Sequence, residues 1–435
     1  MKLLHIKPLA KRLDCTLSVP GSKSLSNRAL LLAAVAEGES ILDHIPDSDD
    51  IQAALSALRG LGVPVLNPSA GRYVVHGHGL AFPVRSGELD IRSSGTVGRF
   101  LTGLLAAAPA GSWRVAATDQ LARRPIGPLL DALGAWGADI RRENAERSFP
   151  LLVNGTGLSG GAVAISAAKS SQFASGILLA APLSSRPSVV AITDIDPEEC
   201  YIDLTLDLMH SFGVRTETEK APGTQTVFIN PQPYRACSLV MEADFNSANY
   251  FLALPLLVGG CVTVANLSAH SGQPGAKFIS VLERLGGMIE NAGGGVSVSG
   301  TGETLRGGFT LDMRAMSEMA LTLGVLAVFA DGPVTMTNIA HIRGHETDRI
   351  DALVKQLARL GVHCDEGSDW VTIHPLPRSS IASCVVDSCG DHRIAMSLAI
   401  LGLAANGLSI TNPDAVGKTF PGFFDCLSVA GAVVS

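Results

Sequence analysis

Lys23, Ser24 and Arg28 lie in the stretch Val19-Pro-Gly-Ser-Lys-Ser-Leu-Ser-Asn-Arg28, directly ahead of the apolar run Ala29-Leu-Leu-Leu-Ala-Ala34. Pro20 and Gly21 turn the chain and deliver two cations and several hydroxyls to the start of a helix. Unsatisfied backbone N–H groups there, joined by cations, suit an anionic ligand. Alone, Ser-Lys-Ser reads as an ordinary capped helix with solvated charges. Further polar patches tell against that reading: Ser93-Ser-Gly95-Thr-Val-Gly-Arg99, Arg123-Arg124-Pro125, Lys169-Ser170-Ser171-Gln172, His345-Glu346-Thr-Asp-Arg349, Asp391-His-Arg393 and Gly417-Lys418-Thr. Six cations (Lys23, Arg28, Arg124, Arg349, Arg393 and Lys418) are expected at helix starts, where the helix dipole favours carboxylates. A repeated placement against the dipole points to anionic ligands. Glu318, expected in an otherwise apolar helix, and Glu346 are the carboxylates among these cations, and acid–base work on a hydroxyl or a carbon is the chemistry they offer. Asp391 and His392 read as capping residues.

The elements that must carry these residues repeat. Ser26–Ile41, Val97–Val115, Ser171–Ile192, Ala248–Val264, Ser317–Met336 and Asp391–Ile410 share one grammar: a polar head, a helix of small and apolar residues, a Gly or Pro break, and a β-branched strand. Their heads lie roughly 70–77 residues apart, enough for a βαβ-type unit with extra strands. Between heads, apolar i, i+3, i+4 spacing predicts second helices over Ile51–Leu61, Ile126–Trp136, Tyr201–Phe212, Phe278–Leu285 and Arg349–Leu360. Each is followed by a glycine suited to a left-handed C-cap. Six units make two sets of three.

At 435 residues the chain exceeds one ordinary core, so two domains are expected. Crossings are expected near Ser18–Gly21 and near Ser238–Asp244, which gives a first lobe over 21–240 and a second over 1–20 plus 241–435. Two crossings at one place read as a hinge over a cleft. With 46% apolar residues but only 5% aromatics, the helices must pack closely on Ala, Gly, Leu and Val. Net charge is −7, from 33 basic and 40 acidic residues. That balance argues against nucleic acid or an anionic membrane as partner. The eight cysteines form no CxxC pair or zinc spacing. No secretory leader and no span of about 18 apolar residues is seen, so a soluble cytoplasmic protein is expected. No P-loop, GxGxxG or nucleophile elbow is present, which disfavours ATP-dependent and redox chemistry.

Residues 19–34, Gly95-Thr96, Arg124-Pro-Ile-Gly, Ser170-Ser-Gln172, Glu346-Thr-Asp-Arg349, Asp391-His-Arg393 and Lys418-Thr-Phe-Pro421 resemble the motifs of the 5-enolpyruvylshikimate-3-phosphate synthases, across nearly the whole chain. The resemblance implies an α/β fold of two lobes, each of three βαβαββ units, closing over the substrates. It implies transfer of the enolpyruvyl group of phosphoenolpyruvate to the 5-hydroxyl of shikimate 3-phosphate, with small-molecule partners, no metal or organic cofactor, and a monomer. By that resemblance Lys23, Gly95, Arg124, Gln172, Arg349, Arg393 and Lys418 surround phosphoenolpyruvate. Ser24, Arg28, Ser170, Ser171, Tyr201, Glu318 and His345 surround the acceptor. Glu346 protonates the methylene carbon, while Glu318 and Lys23 handle the hydroxyl proton.

Several positions depart from the family pattern. His345 stands where Lys is usual, His341 where Asn is, Glu198 where Ser is, Glu318 where Asp is, and Ser93-Ser94 where an Asn-Ala pair is. Replacing a lysine near a phosphate by a mostly neutral imidazole removes an interaction of roughly 4 kcal/mol at 4 Å and an effective dielectric near 20. An alternative reading is therefore a paralogue acting on an unphosphorylated shikimate-like cyclitol acid; a non-catalytic ligand-binding homologue is another. The sibling family that uses a UDP-sugar carries a reactive Cys in the loop before the Arg-Pro motif, and Ala117–Arg124 has none.

Overall fold

The computed structural model describes residues 2–9, 11–195, 200–268, 270–292 and 295–435. It divides into two compact units: Gly21–Met241, and Met1–Pro20 with Glu242–Ser435. Within the second unit the two crossing points are hydrogen-bonded, Asp244 N donating to Pro20 O at 2.9 Å. Within the first, Gly21 has no room for a side chain: an added Cβ would lie 1.9 Å from His44 O.

The described residues form six small sheets built on one plan, the sixth with a single antiparallel strand. In each, the strand following a central helix has a parallel neighbour on one side and an antiparallel one on the other. Ser112–Ala116 pairs in parallel with Ser86–Asp90 and antiparallel with Leu151–Asn154, which is followed by Asp139–Arg142. The same order surrounds Ser188–Thr193 and Val334–Thr337. Two sheets borrow their parallel strand from far along the chain. Ala36–Asp43 takes Tyr234–Arg235 and Ser238–Val240, and Gly260–Val264 takes Leu13–Leu17. In the sixth, Leu408–Thr411 lies between Val385–Asp387 and Leu3–Ile6, and an Ile6–Val434 bridge takes the fourth place.

The central helices are Lys23–Val35, Gly95–Ala107 and Ser171–Ala180 in one unit, and Phe245–Val258, Ala320–Ala327 and His392–Ala404 in the other. All are buried over most of their length. A helix apolar on every side belongs inside a core, and small residues set how close neighbours come. A Cβ on Gly103 would sit 2.8 Å from Gly176 O, so those two helices meet backbone to backbone. The second helices end as the spacing predicts: Gly62, Gly137, Gly213, Gly286 and Gly361 all have φ between 75° and 110°.

Three placements differ from the sequence reading. Glu318 lies in a 3₁₀ turn, Arg314–Met319, ahead of the helix and not within it. Lys418 ends the 3₁₀ turn Pro413–Lys418, a favourable place for a cation. Arg124 lies in the loop between Asp119–Ala122 and Gly127–Ala135. The placement of cations against the dipole therefore holds for Lys23, Arg349 and Arg393 and fails for Arg124 and Lys418. Arg28 is the sixth residue of its helix.

Candidate active site

In the Gly21–Met241 unit, the polar groups gather at the N-terminal ends of three central helices. The helices beginning at Lys23 and Gly95 follow extended serines, Ser22 and Ser94, yet neither start has a side-chain cap hydrogen bond. Buried Ser94 Oγ finds no partner among the described residues. By contrast, Ser170 caps the third helix, accepting from Gln172 N at 3.3 Å, with Ser171 buried beside it. Two starts thus keep backbone donors for a ligand.

Arg28 is almost fully buried and ties these helices together. It donates to Thr205 Oγ1 at 2.8 Å, Ser24 O at 2.9 Å and Ser175 Oγ at 3.2 Å. Its guanidinium lies 4.7 Å from the Phe100 ring centroid and 5.9 Å from that of Tyr201. Lys23 pairs with Asp50 at 2.8 Å, a partner the sequence reading missed. Arg99, which closes the polar patch Ser93–Arg99 but is not among the six cations singled out above, donates to Gln172 Oε1 at 2.5 Å and Pro125 O at 2.9 Å. Burial, with repulsion from Arg124, pushes Arg99 down to about 9. A Cβ on Gly95 would lie 3.3 Å from Arg99 and 3.7 Å from Arg124. Among the described residues neither arginine forms a salt bridge with a carboxylate, so an anion entering beside Gly95 would relieve their repulsion.

The other unit has the opposite balance. Arg349, 2% exposed, is the hub of a cluster in which its cations meet carboxylates. It donates to Asp391 Oδ2, Glu318 Oε2 and Glu346 Oε2 at 2.8, 2.9 and 2.8 Å. Arg393 pairs with Glu318, and Lys418 with Glu346 at 2.7 Å. Three cations thus face three carboxylates. Burial alone would raise the Glu346 carboxyl, but Arg349 and Lys418 hold it well below the usual carboxylate range. Arg393 and Arg349 do the same for Glu318 against its burial.

Arg349 also donates to His345 Nδ1 at 2.8 Å. A guanidinium can only donate, so in this arrangement the His345 proton sits on Nε2. His341 lies 2.7 Å from Ser317 Oγ and its ring is 6.0 Å from that of His345. Glu198 lies outside the described residues. Asp391 caps its helix, accepting from Arg393 N at 2.7 Å, as its sequence suggests. Its clamp on Arg349, 42 residues away, left no local signal.

A family model described as EPSP synthase (3-phosphoshikimate 1-carboxyvinyltransferase) matches residues 9–427. The chain belongs to the EPSP synthase family. A 3-phosphoshikimate 1-carboxyvinyltransferase 2 of Halalkalibacterium halodurans is 38% identical over 435 residues, covering 100% of this chain and 96% of that one. A 3-phosphoshikimate 1-carboxyvinyltransferase of Nostoc punctiforme is 35% identical over 425 residues, covering 98% of each. A solved EPSP synthase structure from Acinetobacter baumannii superposes with a TM-score of 0.84 at 25% identity, covering 100% of both chains. The repeated α/β units described above are those of an EPSP synthase family member.

Proposed function

We infer that this protein transfers the 1-carboxyvinyl group of phosphoenolpyruvate to the 5-hydroxyl of 3-phosphoshikimate and releases inorganic phosphate, a step of the shikimate pathway. The observation that carries the reading is Glu346 held between Lys418 Nζ at 2.7 Å and Arg349 Nη2 at 2.8 Å. In this state its carboxylate serves as counter-ion to two cations. An anionic donor that engages those cations takes over that task and weakens their hold on the carboxylate. Glu346 can then accept a proton and becomes the acid the reaction needs.

Glu346 passes that proton to the methylene carbon, which leaves C2 electron-poor. The 5-hydroxyl oxygen adds to C2 while Glu318, assisted by Lys23, takes its proton. The resulting phosphate ketal loses phosphate as the new methyl group returns a proton to Glu346, which restores the carbon–carbon double bond. Arg124, Arg349, Arg393 and Lys418 hold the donor's negative charge throughout, with Gly95 and Gln172 against it, and electrostatic stabilisation of that kind is commonly the largest catalytic contribution. Ser24 and Arg28 hold the acceptor carboxylate, Tyr201 lies under its ring, and Ser170, Ser171 and His345 face its phosphate. The relatives named above are both named for 3-phosphoshikimate, and neither the unphosphorylated acceptor nor the non-catalytic reading draws support from them.

Among the described residues no helix is long and apolar enough to cross a membrane. We place the protein in the cytoplasm, acting as a monomer on small molecules. Phosphate release from phosphoenolpyruvate, followed with shikimate 3-phosphate and separately with shikimate, tests the assignment. Turnover is expected with the phosphorylated acceptor; turnover with shikimate alone would overturn the reading.

A further inference from the structure

His363, Asp365 and His374 form a cluster that the proposed reaction does not use. Cys364–Glu366 is the edge strand of its sheet and pairs antiparallel with Val371–Ile373, with Cys364 opposite Ile373. One residue beyond that pair, His374 N donates to His363 O at 3.0 Å, so the two histidines face each other across the ladder. Asp365 is two residues from His363, and the alternation of a strand puts both on one face. Cys364, between them, packs against the core instead.

The side chains already converge. His374 Nε2 lies 2.7 Å from Asp365 Oδ2, and His363 Nε2 lies 3.5 Å from Oδ1. The imidazole centroids are 4.8 Å apart with 31° between planes, and one ligand atom from each residue falls within 4.8 Å of the other two. Ligands about 2.0–2.1 Å from a tetrahedral ion are about 3.3–3.4 Å apart, so small side-chain rotations would close this set around one. The backbone needs no change, because the ladder already fixes the three positions.

We propose that His363, Asp365 and His374 bind one divalent transition-metal ion of the zinc, cobalt or nickel type on the outer edge of this sheet. Two imidazoles with one carboxylate suit such ions, whereas magnesium and calcium prefer sets of oxygen ligands. The remaining coordination positions face solvent, since the side chains of His363 and Asp365 are 71% and 52% exposed. The ion joins the two strands of the hairpin and stabilises the protein in the manner of any ligand that binds only the folded state.

The test is calorimetric titration of the whole protein with zinc chloride and with nickel chloride at neutral pH, repeated on His363→Ala and His374→Ala. All three residues are at the surface, so the variants should fold, and circular dichroism checks that they do. His76→Ala, another surface histidine, serves as control. We expect saturable binding of one ion per chain in the wild type and the control, a rise in melting temperature with zinc, and loss of both effects in either variant. Phosphate-release activity should be the same in all four proteins, which separates this site from the proposed reaction. Absence of saturable binding in the wild type, or binding retained in both variants, would overturn the proposal. Binding that moves with thiol blockade and not with the histidines would assign the ion to cysteines and overturn it equally.

Discussion

Arg349 and Asp391 meet at 2.8 Å with side-chain exposures of 2% and 0%, and Asp391 also caps the helix His392–Ala404. One carboxylate thus fixes both the start of a buried helix and the direction of the guanidinium at the centre of the cation cluster.

Asp391→Asn should separate those roles, because Asn caps a helix as well as Asp does. It leaves Arg349 buried with two carboxylates in place of three. We expect a loss of about 3 kcal/mol, the lower end for a broken buried pair, measured by urea unfolding. Asp391→Ala should lose about 1 kcal/mol more through the cap. An unchanged midpoint in Asp391→Asn would reduce Asp391 to a cap alone.

The carboxyls of Glu318 and Glu346 are both held well below their ordinary values. A depressed carboxyl contributes stability that is complete above its unfolded value, about 4.3 for Glu, and lost as pH falls through the folded one. The unit holding them should therefore lose this stability progressively as pH falls below about 5, because the unfolded carboxyls take up protons first. Lys418→Ala removes one of the two cations on Glu346, so the carboxyl should rise toward its ordinary value. Carbon-13 NMR of labelled glutamate in unliganded protein reads this directly.

Glu346→Gln keeps the shape of the side chain but cannot give or take the proton. A fall in kcat of about 10²–10⁴ is expected, with an unchanged circular dichroism spectrum. Lys418→Ala should abolish measurable turnover, since it removes the cation paired with Glu346 and, on the proposed reading, a ligand of the donor. Wild-type rates in either variant would remove these residues from the reaction.

Arg28→Lys is not a conservative change here. One ammonium cannot reach Thr205, Ser175 and Ser24 O while also stacking on Phe100 in the plane a guanidinium offers. We expect acceptor KM to rise about tenfold or more, as for loss of about 1.4 kcal/mol, with donor KM little changed. A donor-only effect in steady-state kinetics would move Arg28 out of the acceptor site.

Gly95→Ala adds a methyl group 3.3 Å from Arg99, 3.4 Å from Leu121 and 3.7 Å from Arg124. The neighbours are ends of side chains, so stability should change by less than about 1 kcal/mol. The methyl occupies the space an anion would take between the two arginines. Phosphoenolpyruvate should therefore raise the melting temperature of the wild type more than that of the variant. Equal shifts would place the anion elsewhere.

Much of the scaffold was readable from local pattern. Fully apolar runs marked the central helices, amphipathic spacing marked the second helices, and the glycines after the latter adopt the left-handed conformation expected of them. The site was readable only as a set of candidates. Glu318 was expected inside a helix because its neighbours are apolar, but the chain makes a 3₁₀ turn there with a kink at Met316. Asp50 gave no signal, and the polar patch that ends in Arg99 did not disclose its partner, because a charged residue near a helix end usually meets solvent; here packing supplied Lys23 and Gln172 as partners.

Sequence by itself determined the repeated α/β units, their helices and their turns, because backbone preference and hydrophobic period act over a few residues. Tertiary structure alone decided the pairing of charges. Arg349 reaches Asp391 across 42 residues, Lys418 reaches Glu346 across 72, and Arg99 reaches Gln172 across 73. Such partners are chosen by which helix ends the packed core brings together, and no local preference records that choice.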